Sequence, residues 1–317
     1  MDVILHIGAH RCATTTFQHY LRRNATTLAA EGIGFWGPWR TRGGLFRGIQ
    51  PGSGLGLGRD MQARAQGRVR INLDRSEQAG IRQLIVSEEN MMGSVRENLR
   101  MGELYCGVGE RLARYAQVFG DRLSDVVVNI RALDAYWASA LGFGITRGRP
   151  VPGPAALARL AGSPRSWRDV LSDVACAAPG ARIWALPFET FGGRPEAQLA
   201  AITGLAPERV PMRHARDWLN ATPRLPELRA WLEPGAAARL PAGAGRWQPF
   251  CAAEAAALRE TYADDLMWLT AGAEGLARLM PDPDKTDRSR TGNAPIRPGQ
   301  TRGRRNDDQD RQMAGTG

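Results

Sequence analysis

The first twenty residues bring together side chains that could bind an anion. An apolar run at positions 3–7 ends at Gly8, and the residues that follow include His10, Arg11, Thr14, Thr15 and Thr16. A strand that passes through a short loop into a helix leaves the first peptide N–H groups of that helix unpaired, and such groups bind anions. Hydroxyls and a guanidinium beside them predict a phosphate-type ligand. The alternative is an ordinary strand-to-helix turn with a threonine N-cap.

This loop is not a Walker A motif. The spacing Gly-x-x-x-x-Gly-Lys-Ser/Thr cannot be fitted to it, and the single lysine of the chain is Lys285, far from the loop. The sequence also offers no clear carboxylate for a magnesium ion. A P-loop kinase is therefore disfavoured as the function.

A second apolar segment, DVVVNIR, ends in Arg131, and Ser139 follows eight residues later. Ligands of an open α/β sheet bind at the carboxyl ends of its strands, so both residues should lie near the loop. Arginine binds phosphate through two hydrogen bonds and a helix-borne hydroxyl adds a donor, which predicts a second anion site. A structural ion pair is the alternative for Arg131.

A third apolar segment, RQLIVSEEN, carries Glu88 and Glu89 at its carboxyl end. A carboxylate at this sheet edge could act as a general base for a hydroxyl group, if burial raises its pKa toward neutrality. The alternative interpretation is that one of the two glutamates caps the next helix or pairs with an arginine. Both interpretations stay open at this point.

The segment HIGAHRCATTTFQ resembles the 5′-phosphosulfate-binding loop of sulfotransferases that use 3′-phosphoadenosine 5′-phosphosulfate (PAPS). In bacterial members that loop commonly reads HIGxHKTGTTSLQ. Thr14 and Thr15 match, whereas Arg11, Cys12 and Ala13 stand where the family has lysine, serine or threonine, and glycine. The family also places an arginine at a strand end and a serine eight residues later, and both hold the 3′-phosphate.

The resemblance implies an enzyme that moves a sulfuryl group from PAPS to a hydroxyl or amine and leaves 3′,5′-ADP. The loop would hold the 5′-phosphosulfate through Gly8, Arg11, Cys12, Ala13, Thr14, Thr15 and Thr16, while Arg131 and Ser139 would hold the 3′-phosphate. Glu88 or Glu89 would take the acceptor's proton, with His10 as a second candidate. The segment GRWQPF is similar to a late family motif and makes Arg246 a further phosphate ligand, although core packing is the simpler role for Trp247 and Phe250. The chemistry requires no metal, and the acceptor is a small molecule, carbohydrate or lipid.

Ala13 sets a condition on this interpretation. If the loop requires a positive φ at this position, the β-carbon of alanine strains the loop where glycine would not. A catalytically inactive, nucleotide-binding relative is therefore the first alternative.

Composition supports an anionic partner but does not select one. The formal net charge is +10 and the pI is near 10.4, so a basic nucleic-acid-binding protein is an alternative from another class, although specific recognition is disfavoured.

No apolar stretch is long enough to span a membrane, and the first strand begins almost at once, which predicts a cytoplasmic protein. The four cysteines are scattered and form no C-x-x-C pair, so neither a zinc site nor a disulfide framework is predicted. A reactive Cys12 at a helix start is a further possibility.

These elements predict an α/β fold with a mostly parallel central sheet, helices on both faces and a P-loop-like sulfotransferase architecture. We expect one domain over residues 1–280 and a disordered polar tail over 281–317. A helix break is predicted at Asn24. Glycine-rich residues 37–59 predict a mobile loop, either a surface insertion or a lid.

Overall fold

A single sheet of parallel strands organises the molecule. The computed structural model describes residues 1–50 and 58–284, and within them the sheet has six strands in the order β2-β3-β1-β4-β5-β6. In chain order these are β1 (Asp2–His6), β2 (Ile33–Trp36), β3 (Gln83–Ser87), β4 (Leu123–Ile130), β5 (Arg182–Pro187) and β6 (Arg278–Leu279). All neighbouring pairs are parallel. The predicted α/β fold with a mostly parallel sheet is confirmed.

Helices cover both faces of the sheet. They are α1 (Thr14–Arg23), α2 (Ala25–Ala30), α3 (Pro38–Arg40), α4 (Gly58–Gln78), α5 (Val95–Met101), α6 (Val108–Phe119), α7 (Leu133–Ile145), α8 (Pro154–Ala161), α9 (Trp167–Ala177), α10 (Phe188–Phe191), α11 (Pro195–Thr203), α12 (Leu225–Ala230), α13 (Pro234–Ala237) and α14 (Ala252–Thr270). Contacts within the chain group Met1–Pro281 into one compact unit. The predicted tail, 281–317, lies almost wholly outside the described residues.

The alternation of side chains along β4 divides the interior into two cores. Val126 and Val128 point into the larger core, which contains residues of α4, α6, α7, α9 and α14. Val127 points into the smaller core with Phe17 of α1 and Leu199 of α11. A strand buried on both faces needs apolar residues at successive positions, which is why the run VVV lies near the middle of the sheet.

Asn24 separates α1 from α2, as the sequence predicts. Its side-chain amide donates to the carbonyl oxygen of Tyr20 at 3.0 Å and to that of Arg213 at 2.9 Å. The break therefore also attaches α1 to a segment almost two hundred residues later. The chain that begins there becomes part of the candidate site.

The prediction of a mobile loop is wrong for residues 38–50. This stretch forms α3 and a further helical turn, Thr41–Leu45. Leu45, Phe46 and Ile49 are buried, and the ring of Phe46 packs edge-on against Tyr115. Apolar residues between the glycines thus pack on the core. Residues 51–57, the remaining centre of the predicted loop, lie outside the described residues.

The closing helix α14 fixes the start of α9. Asp265 is buried and its carboxylate accepts hydrogen bonds from Ser166 Oγ at 2.6 Å, Trp167 N at 3.0 Å and Arg168 N at 3.1 Å. The indole Nε1 of Trp167 in turn donates to the carbonyl oxygen of Arg131 at 2.7 Å. A carboxylate at the helix N-terminus therefore supports the carboxyl end of β4 through one intermediate side chain.

We expect Asp265→Ala to lower the free energy of unfolding by about 2–3 kcal/mol, because the buried donors Ser166 Oγ and Trp167 N lose their acceptor, whereas Arg168 N keeps Ser166 Oγ at 3.2 Å. Urea denaturation followed by circular dichroism measures this change. The neighbouring Asp264 is exposed, and Asp264→Ala should stay within about 0.5 kcal/mol of the wild type. Equal losses in the two variants would contradict this role for Asp265.

Candidate anion-binding site

The loop between β1 and α1 has an unusual backbone. Gly8, Arg11 and Ala13 have positive φ angles of 40°, 66° and 60°. The loop therefore has at position 13 the positive φ that strains alanine but not glycine. Alternation of left-handed and right-handed residues turns successive peptide N–H groups toward one side and creates a concave anion site. Among the described residues, the N–H groups of Ala13, Thr14 and Thr15 have no hydrogen-bond acceptor. These donors remain free for a ligand.

Gly8 is required by close packing as well as by its φ angle. A β-carbon at this position would lie 2.4 Å from Cγ2 of Thr14. The glycine therefore lets the end of β1 pass directly beneath the start of α1. Thr14 itself is buried at this crossing.

Arg131 extends from the end of β4 toward the loop. Its Nη1 donates to the carbonyl oxygen of Arg11 at 2.8 Å, and its guanidinium lies over the ring of Phe188 at 4.2 Å. The residue is only 7% exposed, and its buried Nε has no hydrogen-bond partner. The two predicted anion-binding places, far apart in the chain, therefore meet at one edge of the sheet.

Arg11 contacts the second predicted residue of the 3′-phosphate site. Its Nε donates to Ser139 Oγ at 3.0 Å, and its Nη2 donates to the carbonyl oxygen of Asn220 at 3.2 Å. The guanidinium also lies 5.1 Å from the centre of the Phe143 ring. The structure thus joins Arg11, Arg131 and Ser139 in one cluster.

Positive charge in this cluster is not neutralised by the protein. Within the described part of the chain, neither Arg11 nor Arg131 pairs with a carboxylate. Burial lowers the pKa of Arg11, and the charge of Arg131 lowers it further. Burial also lowers the pKa of Arg131, an effect that the more distant carboxylates of Glu189 and Asp134 oppose. A buried and a half-buried guanidinium without direct acidic partners are unfavourable unless an anion compensates them.

A cleft runs from the loop along α7. Its loop end is bordered by Thr14, Thr15, Phe188 and Trp218, and its other end by Ser139, Trp247 and Phe250, with Arg131, Thr222 and Arg246 common to both ends. Arg246 is exposed, whereas Trp247 is buried and packs in the larger core. The core-packing interpretation of Trp247 is confirmed. We call this feature the anion cleft.

A segment at 211–222, which we call the strap, covers the loop. Thr16 Oγ1 accepts from the peptide N–H of Leu219 at 3.1 Å, and Asn220 Nδ2 donates to Thr15 Oγ1 at 3.0 Å. The hydroxyls of Thr222 and Ser139 are 2.7 Å apart. Sequence reasoning missed these residues because they lie in a proline-broken stretch without periodicity.

The glutamates after β3 are engaged by Arg42. Its guanidinium donates to both carboxylate oxygens of Glu88, at 2.9 Å from Nε to Oε2 and 2.6 Å from Nη2 to Oε1, and to Glu89 at 2.9 Å. Glu88 also accepts from Thr41 Oγ1 and from the N–H of Asn90. The alternative interpretation of Glu88, a cap paired with an arginine, is what the structure shows. Its two oxygens are occupied, which leaves little access for a substrate proton.

The remaining base candidates are Glu89 and His10. Burial raises the pKa of Glu89, but the hydrogen bond from Gln18 and nearby positive charge outweigh it, so the pKa lies below its ordinary value. Burial lowers the pKa of His10. Its Nδ1 lies 3.0 Å from the Tyr105 hydroxyl. At pH 7 the Glu89 carboxylate and the neutral His10 imidazole are both in their proton-accepting form, and imidazole is intrinsically the more basic of the two groups, which favours His10.

Cys12 contributes backbone rather than a reactive thiol. The side chain is 2% exposed, and burial raises the pKa of its thiol to about 12. A thiol with that pKa is almost entirely protonated at neutral pH, so nucleophilic chemistry is excluded under those conditions. All four cysteines are free.

Two functional positions beneath the loop were not predicted. His6, the last residue of β1, is fully buried, with Nδ1 2.7 Å from Ser87 Oγ and Nε2 2.7 Å from Asn129 Oδ1. Glu189 accepts from the N–H of Ala132 at 3.0 Å and so supports the start of α7. The only sequence signal was a histidine within an apolar strand. His6 connects β1, β3 and β4 directly below the anion cleft.

Comparison of the chain with protein-family models, with curated proteins and with solved structures gave no match. No helix of the described residues is both long and apolar enough to cross a membrane. What the fold and the site define is therefore a class: a parallel α/β protein with a basic cleft at the carboxyl edge of its sheet. The chemistry of that cleft is what bears on function.

The His6 environment predicts a pH-dependent stability. Burial lowers the pKa of His6 from 6.5 to about 4. The unfolded chain therefore binds more protons between these values, and the free energy of unfolding should fall by about 2 kcal/mol as the pH decreases from about 7 to 5. Urea denaturation at several pH values measures it. His6→Asn should flatten the dependence, whereas an unchanged slope in that variant would contradict it.

The loop geometry predicts that Ala13→Gly raises the free energy of unfolding by about 0.5–1 kcal/mol. Relief of a left-handed alanine gains about 1–2 kcal/mol, and the greater freedom of the unfolded chain offsets part of this. Ala257→Gly, at an exposed position inside α14, is the matched control and should lower stability by about 1 kcal/mol. Parallel chemical denaturation of both variants tests the opposite signs, and a destabilised Ala13→Gly would argue against strain in the loop.

Proposed function

We propose that the protein is a PAPS-dependent sulfotransferase with a P-loop-like sulfotransferase architecture. The observation that carries the proposal is the pair of guanidiniums of Arg11, which is half-buried, and Arg131, which is buried; they converge on one cleft, and no carboxylate of the described residues hydrogen-bonds to either. The unpartnered Nε of Arg131 offers a buried donor to a ligand. A nucleotide with phosphates at both ends of its ribose satisfies these requirements better than a single phosphate.

The cleft offers donors for each end of such a nucleotide, with Arg131 and Arg246 within reach of both ends. At the loop end, the free N–H groups of residues 13–15 and Arg11 would hold the 5′-phosphosulfate. At the α7 end, Arg131 and Ser139 would hold the 3′-phosphate, with Arg246 at the exposed rim. Trp247 and Phe250 line the same end and provide an apolar surface for the base.

Sulfuryl transfer needs positioning and charge stabilisation rather than a covalent enzyme intermediate. As the bond between sulfur and the bridging phosphate oxygen breaks, Arg11 and the loop N–H groups would stabilise the negative charge that develops on the departing 5′-phosphate. The acceptor's oxygen or nitrogen forms the new bond to sulfur, and His10 would take its proton. Glu89 stays the second candidate for this step, ahead of the fully engaged Glu88.

A catalytically inactive, nucleotide-binding relative is the second candidate. The observation that favours it is Ala13, because its left-handed backbone is strained and its β-carbon borders the loop end of the cleft. Arg11 is also partly committed to Ser139 and Asn220. Both candidates require that the cleft bind 3′,5′-ADP and differ only in turnover.

We expect isothermal titration calorimetry to show that 3′,5′-ADP binds at least about tenfold more tightly than 5′-AMP, because only the former engages both ends of the cleft. Arg131→Ala should remove most of this difference and weaken 5′-AMP binding to a smaller extent, because Arg131 also supports the loop through the Arg11 carbonyl oxygen. Arg64 is exposed on α4, so Arg64→Ala removes the same charge away from the cleft and should preserve the difference. Equal affinities of the wild type for the two nucleotides would overturn the proposal.

Two further measurements separate the alternatives. Transfer of labelled sulfate from PAPS across a panel of alcohols and amines distinguishes an enzyme from an inactive relative, and Ala13→Gly should increase any turnover. Binding to duplex DNA that weakens steeply with salt and survives Arg131→Ala would support a nucleic-acid-binding protein instead.

A further inference from the structure

Two histidines and an aspartate meet on the surface beside the strap. His19 Nε2 lies 3.2 Å from Asp217 Oδ2, and His214 Nδ1 lies 2.8 Å from the same oxygen. The three potential ligand atoms all lie within 4.8 Å of one another. His19 belongs to α1, whereas the other two residues belong to the strap. The cluster therefore joins the helix that follows the anion loop to the segment that covers this loop.

Two of the three spacings are close to those of a tetrahedral metal site, and the third, between the two imidazole nitrogens, is at most 4.8 Å. Zinc binds imidazole nitrogen at about 2.0–2.1 Å and carboxylate oxygen at about 2.0–2.2 Å, which places neighbouring ligand atoms roughly 3.3–3.5 Å apart. The two distances to Asp217 Oδ2 need to change by only a few tenths of an ångström. The side chains of His19, His214 and Asp217 are 32%, 18% and 44% exposed, so an ion and a water ligand have access.

The donor set selects a class of cation. Two imidazoles with one carboxylate suit zinc and neighbouring transition metals, whereas magnesium and calcium prefer sites built from oxygen alone. The sequence did not indicate this site, because His19 and Asp217 are 198 residues apart and lie near no cysteine. Only the fold brings the ligands together.

We propose that His19, His214 and Asp217 bind a divalent transition-metal ion, with zinc as the best match, and that the ion fastens the strap to α1. Asp217 Oδ2 already bridges the two imidazoles by hydrogen bonds, and the ion would replace both bonds with coordination. The strap contacts Arg11, Thr15 and Thr16 a few residues further on. A bound ion would thus hold the cover of the anion loop in place. This inference does not depend on the proposed function.

Arg23 provides a sharp test of the assigned ligand atoms. Its Nε lies 3.4 Å from Nε2 of His214. When Nδ1 of His214 binds the ion, the ring proton must be on Nε2, which then faces the Arg23 N–H and its positive charge. Arg23→Gln removes the charge and offers a carbonyl oxygen to the Nε2 proton, the usual outer contact of a metal-bound imidazole. This variant should therefore bind zinc several-fold more tightly.

The experiment uses the full chain with the exposed cysteines replaced, as Cys106→Ser, Cys176→Ser and Cys251→Ser, so that thiols do not compete for metal. Zinc is titrated by calorimetry near neutral pH, and cobalt replaces it for visible absorption spectroscopy. We expect one ion per chain. His19→Ala and Asp217→Asn should each weaken binding by more than about tenfold, since even changes to outer contacts of a metal site have that effect.

Matched controls separate this site from zinc binding elsewhere on the chain. Asp264→Asn removes an exposed carboxylate of α14 outside the cluster and should leave zinc affinity unchanged, and circular dichroism verifies that each variant folds. Hydrogen exchange of residues 213–222 should slow when zinc is added to the parent protein. Absence of one-to-one binding, or binding that survives both His19→Ala and Asp217→Asn, would overturn the proposal.

Discussion

The hydrogen bond from Arg131 to the carbonyl oxygen of Arg11 is the contact on which the site depends. It brings a cation at the end of β4 against the loop that follows β1, at a separation of 2.8 Å. Because a second guanidinium starts from that same loop residue, the contact concentrates positive charge in a partly buried space. Such an arrangement is stable only if the surrounding structure holds it and an anion can compensate it.

A series of contacts holds the backbone of Arg131 and of the residue after it in place. Trp167 donates to its backbone carbonyl oxygen, the start of α9 is capped by Asp265, and Glu189 accepts from Ala132 directly after it. None of these groups offers a carboxylate to the guanidinium itself. The acidic side chains nearby, Glu189 and Asp134, attract the cation from a distance but are hydrogen-bonded elsewhere, and among the described residues no carboxylate pairs with the guanidinium directly. That division of roles is typical of a binding site rather than of a structural ion pair.

Much of this arrangement was predictable, and the reason is geometric. In a parallel sheet the carboxyl ends of the strands share one edge, so Arg131, Ser139 and the loop could be placed together from local patterns alone. The strap, the pairing of Glu88 with Arg42 and the network around His6 could not. Each depends on contacts between distant segments that carry no local periodicity. Residues 38–50 were mispredicted because their glycine content is typical of an irregular loop, whereas the apolar side chains between the glycines pack on the core.

Arginine at position 11 makes contacts that a lysine could not, in a chain whose basic residues are almost all arginine. Nε of Arg11 donates to Ser139 on α7, while Nη2 donates to the carbonyl oxygen of Asn220 on the strap. A planar guanidinium reaches both acceptors in fixed directions, whereas a single ammonium group has no comparable fork. Among the described residues Nη1 of Arg11 has no hydrogen-bond partner, so the N–H groups on that edge of the guanidinium remain available to an anion. The Arg11 side chain can therefore hold the strap in place through Asn220 and still donate hydrogen bonds to an anion beneath it. The position of the strap and the affinity for the anion then depend on each other.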